Sequence, residues 1–294
     1  MLIHVAFALI LLIKLYVYYN NLSHYCVAKN IFPNKTILMK VVIVGSGNVA
    51  SVLSVLIQKG GHEIVQIASR NVDNAKALAS KYNASAVSLT ESQFAPADIY
   101  IIALSDTALD SIEKITGFKD KFIVHTAGSV SINVLKNNSS IYGVLYPLQT
   151  LSKVAQQIPE VPFLVEGNTK ETLHRITEFA RSLSNNVIIS NDAERLHYHI
   201  AAVFVSNFTN HLYAITENFC EKEKINFKNL LPLVNEVTSR INFNSPRDVQ
   251  TGPAIREDIF TINRHLQTLS VHPDLKYLYL KLSESILKLY EKKR

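Results

Sequence analysis

The sequence predicts an α/β chain, a doubly wound parallel sheet followed by an all-α C-terminal domain, and three observations carry that expectation. An apolar run beginning at Lys40 stops at glycines and turns into helical spacing. Short apolar runs then alternate with amphipathic helix patterns as far as Ser190. Beyond Ser190 only the helical period remains. Strand and helix in alternation give crossover wiring and a parallel sheet with helices on both faces.

The first element reads K-V-V-I-V-G-S-G-N-V-A from Lys40 to Ala50. Val49, Ala50, Val52, Leu53, Leu56 and Ile57 recur at helical spacing until Gly60 and Gly61 end the pattern. Strand, glycine turn and helix in this order are the fingerprint of a Rossmann-type dinucleotide site. Gly45 takes the tight turn, Gly47 leaves room between backbone and pyrophosphate, and Ala50 lets helix and strand pack closely. Ser46, Asn48 and Val49 complete the loop, where helix N–H groups meet the phosphates.

The second strand covers 62 to 68, and Ser69-Arg70-Asn71 follows where an NAD site usually offers a carboxylate to the ribose hydroxyls. A carboxylate would repel a 2′-phosphate, whereas the Arg70 guanidinium and the Ser69 hydroxyl suit it, so NADP is expected over NAD. The missing carboxylate also disfavours a methyltransferase. The alternative is that Ser69 starts the next helix and Arg70 points into water.

A helix over 73 to 82, a short strand near Ala86, a strand over 99 to 104, a helix around Leu109 and Ile112 and a strand over 122 to 124 continue the alternation. The loops at the strand ends, Leu104, Ser105 and Asp106 in one and Thr126 to Gly128 in the other, are candidates to border a nicotinamide. Further strands are expected at 141 to 145, 163 to 165 and 187 to 189, with a helix over 170 to 183. The nucleotide-binding domain therefore spans 39–190. Helical patterns over 193 to 218, 230 to 241, 255 to 269 and 275 to 290 make 191–294 a helical substrate and dimerisation domain.

Composition is that of an ordinary globular protein, with 48% hydrophobic and 18% charged residues. Half of the +6 net charge comes from Lys14, Lys29 and Lys35 in the first 38 residues, which hold no acidic residue. The remainder is too mild and dispersed to imply a nucleic-acid partner. The two cysteines, Cys26 and Cys220, show neither metal-ligand spacing nor a disulfide framework, so no metal is expected and the cytoplasm is the expected compartment. Residues 1–38 form an apolar extension in which 2 to 19 is nearly continuous but interrupted by Lys14. Met39 falls one residue before the first strand and is the expected start. A membrane anchor or a signal peptide are the alternatives, so a membrane is a partner only if this segment is retained.

The sheet half resembles the nucleotide domain of the pyrroline-5-carboxylate reductase and F420-dependent NADP oxidoreductase group, in G-S-G-N-V-A and the following A-S-R-N. The helical half is similar to the DUF2520 family, in L-H-Y-H-I-A-A-V-F-V-S-N-F-T-N-H-L-Y (196–213) and T-G-P-A-I-R-E-D (251–258), with His265 following. The resemblance covers 39 to 294. It implies an NADP-dependent oxidoreductase whose dimerising second domain is of the 6-phosphogluconate dehydrogenase C-terminal type. It implies no substrate, and F420 rests on the family's name alone.

Hydride transfer needs a group that moves a proton to or from the adjacent oxygen or nitrogen. His199, Asn207 and His211, at steps of eight and four, lie along one slowly drifting helical stripe, with Asn210 beside them. His199 and Asn207 are the expected catalytic residues. Similar hydroxyacid dehydrogenases use a Lys followed by an Asn on this helix, yet no lysine occupies 197 to 217, which shifts the proton role to His199. In the second cluster, Pro253 just inside a helix start after Gly252 suggests free N–H groups for an anion, with Arg256 as a carboxylate clamp. Asn210, His211, Thr251, Gly252 and Arg256 are thus expected around a small, carboxylated substrate. The chain is expected to transfer hydride to or from a carbonyl, imine or hydroxy compound, or, as the alternative, to be a noncatalytic NADP-sensing dimer.

Overall fold

The computed structural model describes residues 38–91, 93–151 and 158–291, and the expectations for the N-terminal extension lie outside them apart from Leu38. Among the described residues, no helix is long and apolar enough to cross a membrane. The chain forms two compact units, the first running to Ile200 and the second from Ala201.

The first unit is built as β1 (Lys40–Val44), α1 (Asn48–Lys59), β2 (Glu63–Ser69), α2 (Val72–Ala79), β3 (Ser85–Ser88), β4 (Ile99–Ile102), α3 (Asp106–Leu109), β5 (Phe122–His125), β6 (Ile141–Pro147), β7 (Phe163–Gly167), α4 (Lys170–Leu183), β8 (Val187–Ile189) and α5 (Asp192–Ala202). Its eight strands lie in the order β3-β2-β1-β4-β5-β6-β7-β8. Strand order reverses between β1 and β4, which sets the switch point at which such sheets bind ligands beside the glycine turn.

The sheet departs from the all-parallel expectation at one joint. β7 runs antiparallel to β6, with Gly143 opposite Gly167 and Pro147 opposite Phe163, while β8 is parallel to β7. The ladder is extended beyond Pro147, where the Leu148 N–H donates to the Pro162 carbonyl at 2.8 Å. The expected helix around Leu109 and Ile112 is also split, into α3 and a 3-10 turn at Ile112–Lys114, where Ser111 at φ −109° and ψ 16° leaves the α region.

Side chains of β1 and β4 alternate between two cores. Val41, Ile43 and Ile101 pack with Leu53 and Ile57 of α1 and Ile176 and Phe179 of α4. Val42, Val44 and Ile102 pack on the other face with Leu109, Ile112 and Phe118. The central strands are apolar on both sides for this reason, and each such side chain contributes about 1.5–3 kcal/mol by leaving water.

The second unit contains a π-helical segment, Val203–Phe208, followed by α6 (Thr209–Lys222), α7 (Leu231–Arg240), α8 (Ile259–Thr268) and α9 (Pro273–Tyr290). The π segment replaces the uninterrupted α pattern expected here. The Thr209 hydroxyl takes up the Phe204 carbonyl five residues back at 3.2 Å, and the wider turns break the four-residue spacing that put His199, Asn207 and His211 on one stripe.

Candidate functional site

The glycine turn closes the end of β1 against its neighbours. The Gly45 N–H donates to the Ala68 carbonyl of β2, and the Ala103 N–H donates to the Val44 carbonyl, each at 2.7 Å. Gly45 sits at φ +128°, and a Cβ there would fall 2.2 Å from the Ala103 carbonyl oxygen, so only glycine fits. Gly47, the N-cap of α1, is different: a Cβ there would meet nothing within 4 Å.

Gly47 offers no side chain to cap α1, and no acidic residue lies in the helix's first turn. The N–H groups of Asn48, Val49 and Ala50 have no acceptor within their own helix. With the helix dipole behind them, they suit a pyrophosphate.

Ser46 and Ser69 share a hydrogen bond at 2.8 Å, and the Asn71 N–H donates to the Ser69 hydroxyl at 3.3 Å. The N-cap of α2 is Asn71, which accepts from the Asn74 N–H, so Ser69 does not start that helix. Arg70 is exposed beside this hydroxyl pair. The residues fit a ribose carrying a 2′-phosphate, and no carboxylate intervenes between Ser69 and Asn71.

The loops after β4 and β5 are stitched together by the Ser129 hydroxyl, which donates to the Asp106 carboxylate. Ser105 is the N-cap of α3, Leu104 is half-buried, and Thr126 is buried. Gly128 lies against two side chains from other elements, Tyr146 at the end of β6 and His199 on α5. A Cβ on Gly128 would approach His199 Nδ1 and Tyr146 Cζ to 2.8 Å each. The Tyr146 hydroxyl and His199 Nδ1 are hydrogen-bonded at 2.9 Å, with the rings near edge-on at 73°. Burial first, and then the nearby Asp106 carboxylate, push the Tyr146 phenol above its ordinary range, with Arg195 opposing.

Behind this loop lies a fully buried arginine that sequence reasoning missed. Arg195 donates to the Glu166 and Asp192 carboxylates and to the Val130 carbonyl, the last at 2.8 Å. Asp192 in turn accepts from the Ser131 hydroxyl and from the Ile132 N–H. Burial works against the Asp192 carboxylate but is outweighed by the hydrogen bonds from Ser131, Ile132 and Arg195, so its pKa is lowered. Burial of Glu166 outweighs the bond from Arg195 and raises its carboxyl. His125 is lowered to about 3, first by burial and then by the Arg195 charge, and its Nδ1 accepts from the Ala127 N–H at 3.2 Å. The sequence signal was present in Asp192 and Arg195, three residues apart and so on one helix face, but nothing in the sequence tells that their side chains are buried.

One group of expected residues therefore meets at the C-terminal ends of β1, β2, β4, β5 and β6: the glycine turn, Ser69 and Arg70 on one side, and Asp106, Gly128 and His199 on the other. Asn207 lies in the π segment, while Asn210 and His211 lie on α6 of the second unit. His211 lines a cavity of about 440 Å³ with Phe219, Lys222 and His272. Thr251, Gly252 and Arg256 lie in a turn rather than at a helix start, which corrects the expected anion site after Pro253. Helix α8 begins at Ile259, and the Asp258 carboxylate fills its N-terminus by accepting from the Thr261 N–H at 3.0 Å and the Thr261 hydroxyl at 2.7 Å.

Residues 40–128 match the family described as NADP oxidoreductase, coenzyme F420-dependent, and residues 161–286 match the domain of unknown function DUF2520. A Bacteroides fragilis protein described as a candidate NADP oxidoreductase is 36% identical, with a TM-score of 0.79 over 85% of this chain and 98% of its own. The 1-pyrroline-5-carboxylate reductase of Streptococcus pyogenes shares the fold at 14% identity and a TM-score of 0.55, over 85% and 99% of the two chains. So does a reductive aminase of Aspergillus terreus solved with NADPH and ethyl-5-oxohexanoate, at 13% identity and a TM-score of 0.53 over 86% and 91%. No curated protein sequence matches the chain. Fold and glycine turn together define the class, a Rossmann-type protein with the fold of NAD(P)-dependent oxidoreductases. Within that class the chain belongs to one family with the Bacteroides fragilis protein, and its residues 161–286 match the DUF2520 domain.

Proposed function

We propose that the protein is an NADP-dependent oxidoreductase that transfers hydride to or from a small carbonyl, imine or hydroxy compound. The observation that carries this is the uncapped start of α1, with space beyond Gly47, beside the Ser46 and Ser69 hydroxyls and Arg70. Asn48, Val49 and Ala50 would hold the pyrophosphate through their N–H groups, and Ser69 with Arg70 the 2′-phosphate. Bound nicotinamide would supply or accept the hydride.

On the protein side, the loops carrying Leu104, Ser105, Asp106, Thr126 and Gly128 border the reacting end, and His199 exchanges a proton at the substrate oxygen or nitrogen. Asn207, Asn210 and His211 are proposed as further contacts for a small substrate. The helical unit is proposed to pair with a second copy. Phe204, Phe243 and Phe260, each exposed by 62% or more, leave it with apolar surface that a partner would cover. A cytoplasmic location is proposed with this reading.

The second reading is a noncatalytic NADP sensor, favoured by the absence of lysine from 197 to 217. Titration with NADPH, followed by a turnover screen over carbonyl, imine and hydroxyacid panels, separates the two. Binding with turnover is the expected result, binding without turnover across the panels favours the sensor, and no binding of either nicotinamide coenzyme at millimolar concentration defeats both.

A further inference from the structure

We infer that Tyr146 is the positioning residue for proton exchange at His199, holding the ring by Nδ1 so that Nε2 is the atom that meets the substrate. This rests on the oxidoreductase reading above and adds to it a role for a residue on a different element.

The geometry points to it in three ways. The Tyr146 hydroxyl and His199 Nδ1 stand 2.9 Å apart, and no hydrogen-bond partner for His199 Nε2 is found among the described residues. Both side chains press on Gly128, where any larger residue would force them apart, so the pair is built into the loop that borders the proposed nicotinamide position. Both backbones are pinned as well. Tyr146 is opposite Leu164 in the ladder between β6 and β7, and His199 lies one turn after the fully buried Arg195 on α5.

A phenol suits this place better than a carboxylate. Its hydroxyl donates to Nδ1 when the ring is neutral, which leaves the proton on Nε2, and its oxygen accepts from Nδ1–H when the ring is charged. Burial first, and then the Asp106 carboxylate, keep that phenol protonated, while Arg195 is the cation that opposes them. In the reducing direction a bound reduced nicotinamide would supply the hydride that the substrate carbon takes. The electron pair of the opened C=O or C=N bond moves to oxygen or nitrogen, which takes the proton as the Nε2–H bond of the His199 imidazolium breaks. His199 is left neutral, and a hydronium ion from solvent returns the proton to Nε2 and leaves water.

The test is the ¹⁵N–¹H imidazole spectrum of the full chain, for the wild type and for Tyr146→Phe, which removes one oxygen and keeps the ring. In the wild type the neutral His199 ring should favour the Nε2–H tautomer, the form in which Nδ1 accepts the phenol proton. Tyr146→Phe should bring the two tautomers toward parity. An unchanged His199 tautomer in the variant would overturn the inference. NADPH titration of both proteins is read alongside: equal affinity is expected, and failure of the wild type to bind condemns the oxidoreductase reading whatever the imidazole spectrum shows.

Discussion

The hydroxyls of Ser46 and Ser69 meet at 2.8 Å and join the glycine turn after β1 to the end of β2. Arg70 follows as an exposed guanidinium on the same edge, so a phosphate on the ribose would find two hydroxyls and a cation there. Arg70→Glu should weaken NADPH about 10- to 100-fold, the range expected for losing a charge-assisted bond of 1.5–3 kcal/mol, while NADH changes by no more than about threefold. Calorimetric titration with both coenzymes measures this, and equal losses for the two would refute the 2′-phosphate contact.

The two glycines of the turn should behave in opposite ways. Gly45→Ala drives a Cβ to 2.2 Å from the Ala103 carbonyl at φ +128°, which should cost about 2–4 kcal/mol of stability. Gly47→Ala meets no protein atom within 4 Å, so the fold should melt within about 1 °C of the wild type while NADPH affinity falls about tenfold or more. Retention of NADPH affinity by a well-folded Gly47→Ala would place the pyrophosphate elsewhere.

The contrast between these glycines shows how far the sequence could be read. The alternation of Val41 to Val44 with Leu53 and Ile57 foretells strand and helix because each reports one buried face, and β8 and α4 fall where their apolar spacing places them. The reversal at β7 was invisible, since β7 is apolar whether it runs parallel or antiparallel to β6. The split at Ser111 and the π segment at Val203–Phe208 depend on backbone choices that a hydrophobic pattern does not encode. At the candidate site, His199 stood out by its chemistry, whereas the bond to Tyr146, more than fifty positions earlier, is set by tertiary packing.

Arg195 should be the most sensitive charged residue of the first unit. It is fully buried and joins α5 to β7 through Glu166 and to the loop after β5 through the Val130 carbonyl. Arg195→Met removes the cation and leaves two carboxylates and a carbonyl without it, so a loss of about 3–5 kcal/mol is expected in chemical denaturation. Adding Glu166→Gln to that variant should recover part of the loss by removing one uncompensated charge. No recovery in the double variant would show that the Arg195 to Glu166 pair is not the coupled unit.

Acid should unfold the first unit through its buried imidazoles before carboxylates matter. His125, fully buried and lowered to about 3 mainly by burial, stays neutral in the folded state while an unfolded histidine takes a proton near 6.5. His62 is lowered by burial too. Its Nδ1 accepts from the Met39 N–H at 3.2 Å, and its Nε2 bonds at 2.6 Å to Ser182, whose hydroxyl donates to the Phe179 carbonyl, so a second ring proton would break the Met39 bond. Above about pH 7.5 folded and unfolded forms are both neutral and stability is flat. Below 6.5 the unfolded chain binds more protons, and stability falls by about 1.4 kcal/mol per pH unit for His125, reaching about 4 kcal/mol near pH 3, with His62 adding in the same direction. Urea titrations between pH 8 and pH 5 should show this limb above the carboxylate range, and His125→Gln should make it shallower by one histidine's share. An identical slope in the variant would show that His125 takes up its proton in the folded protein as readily as in the unfolded chain.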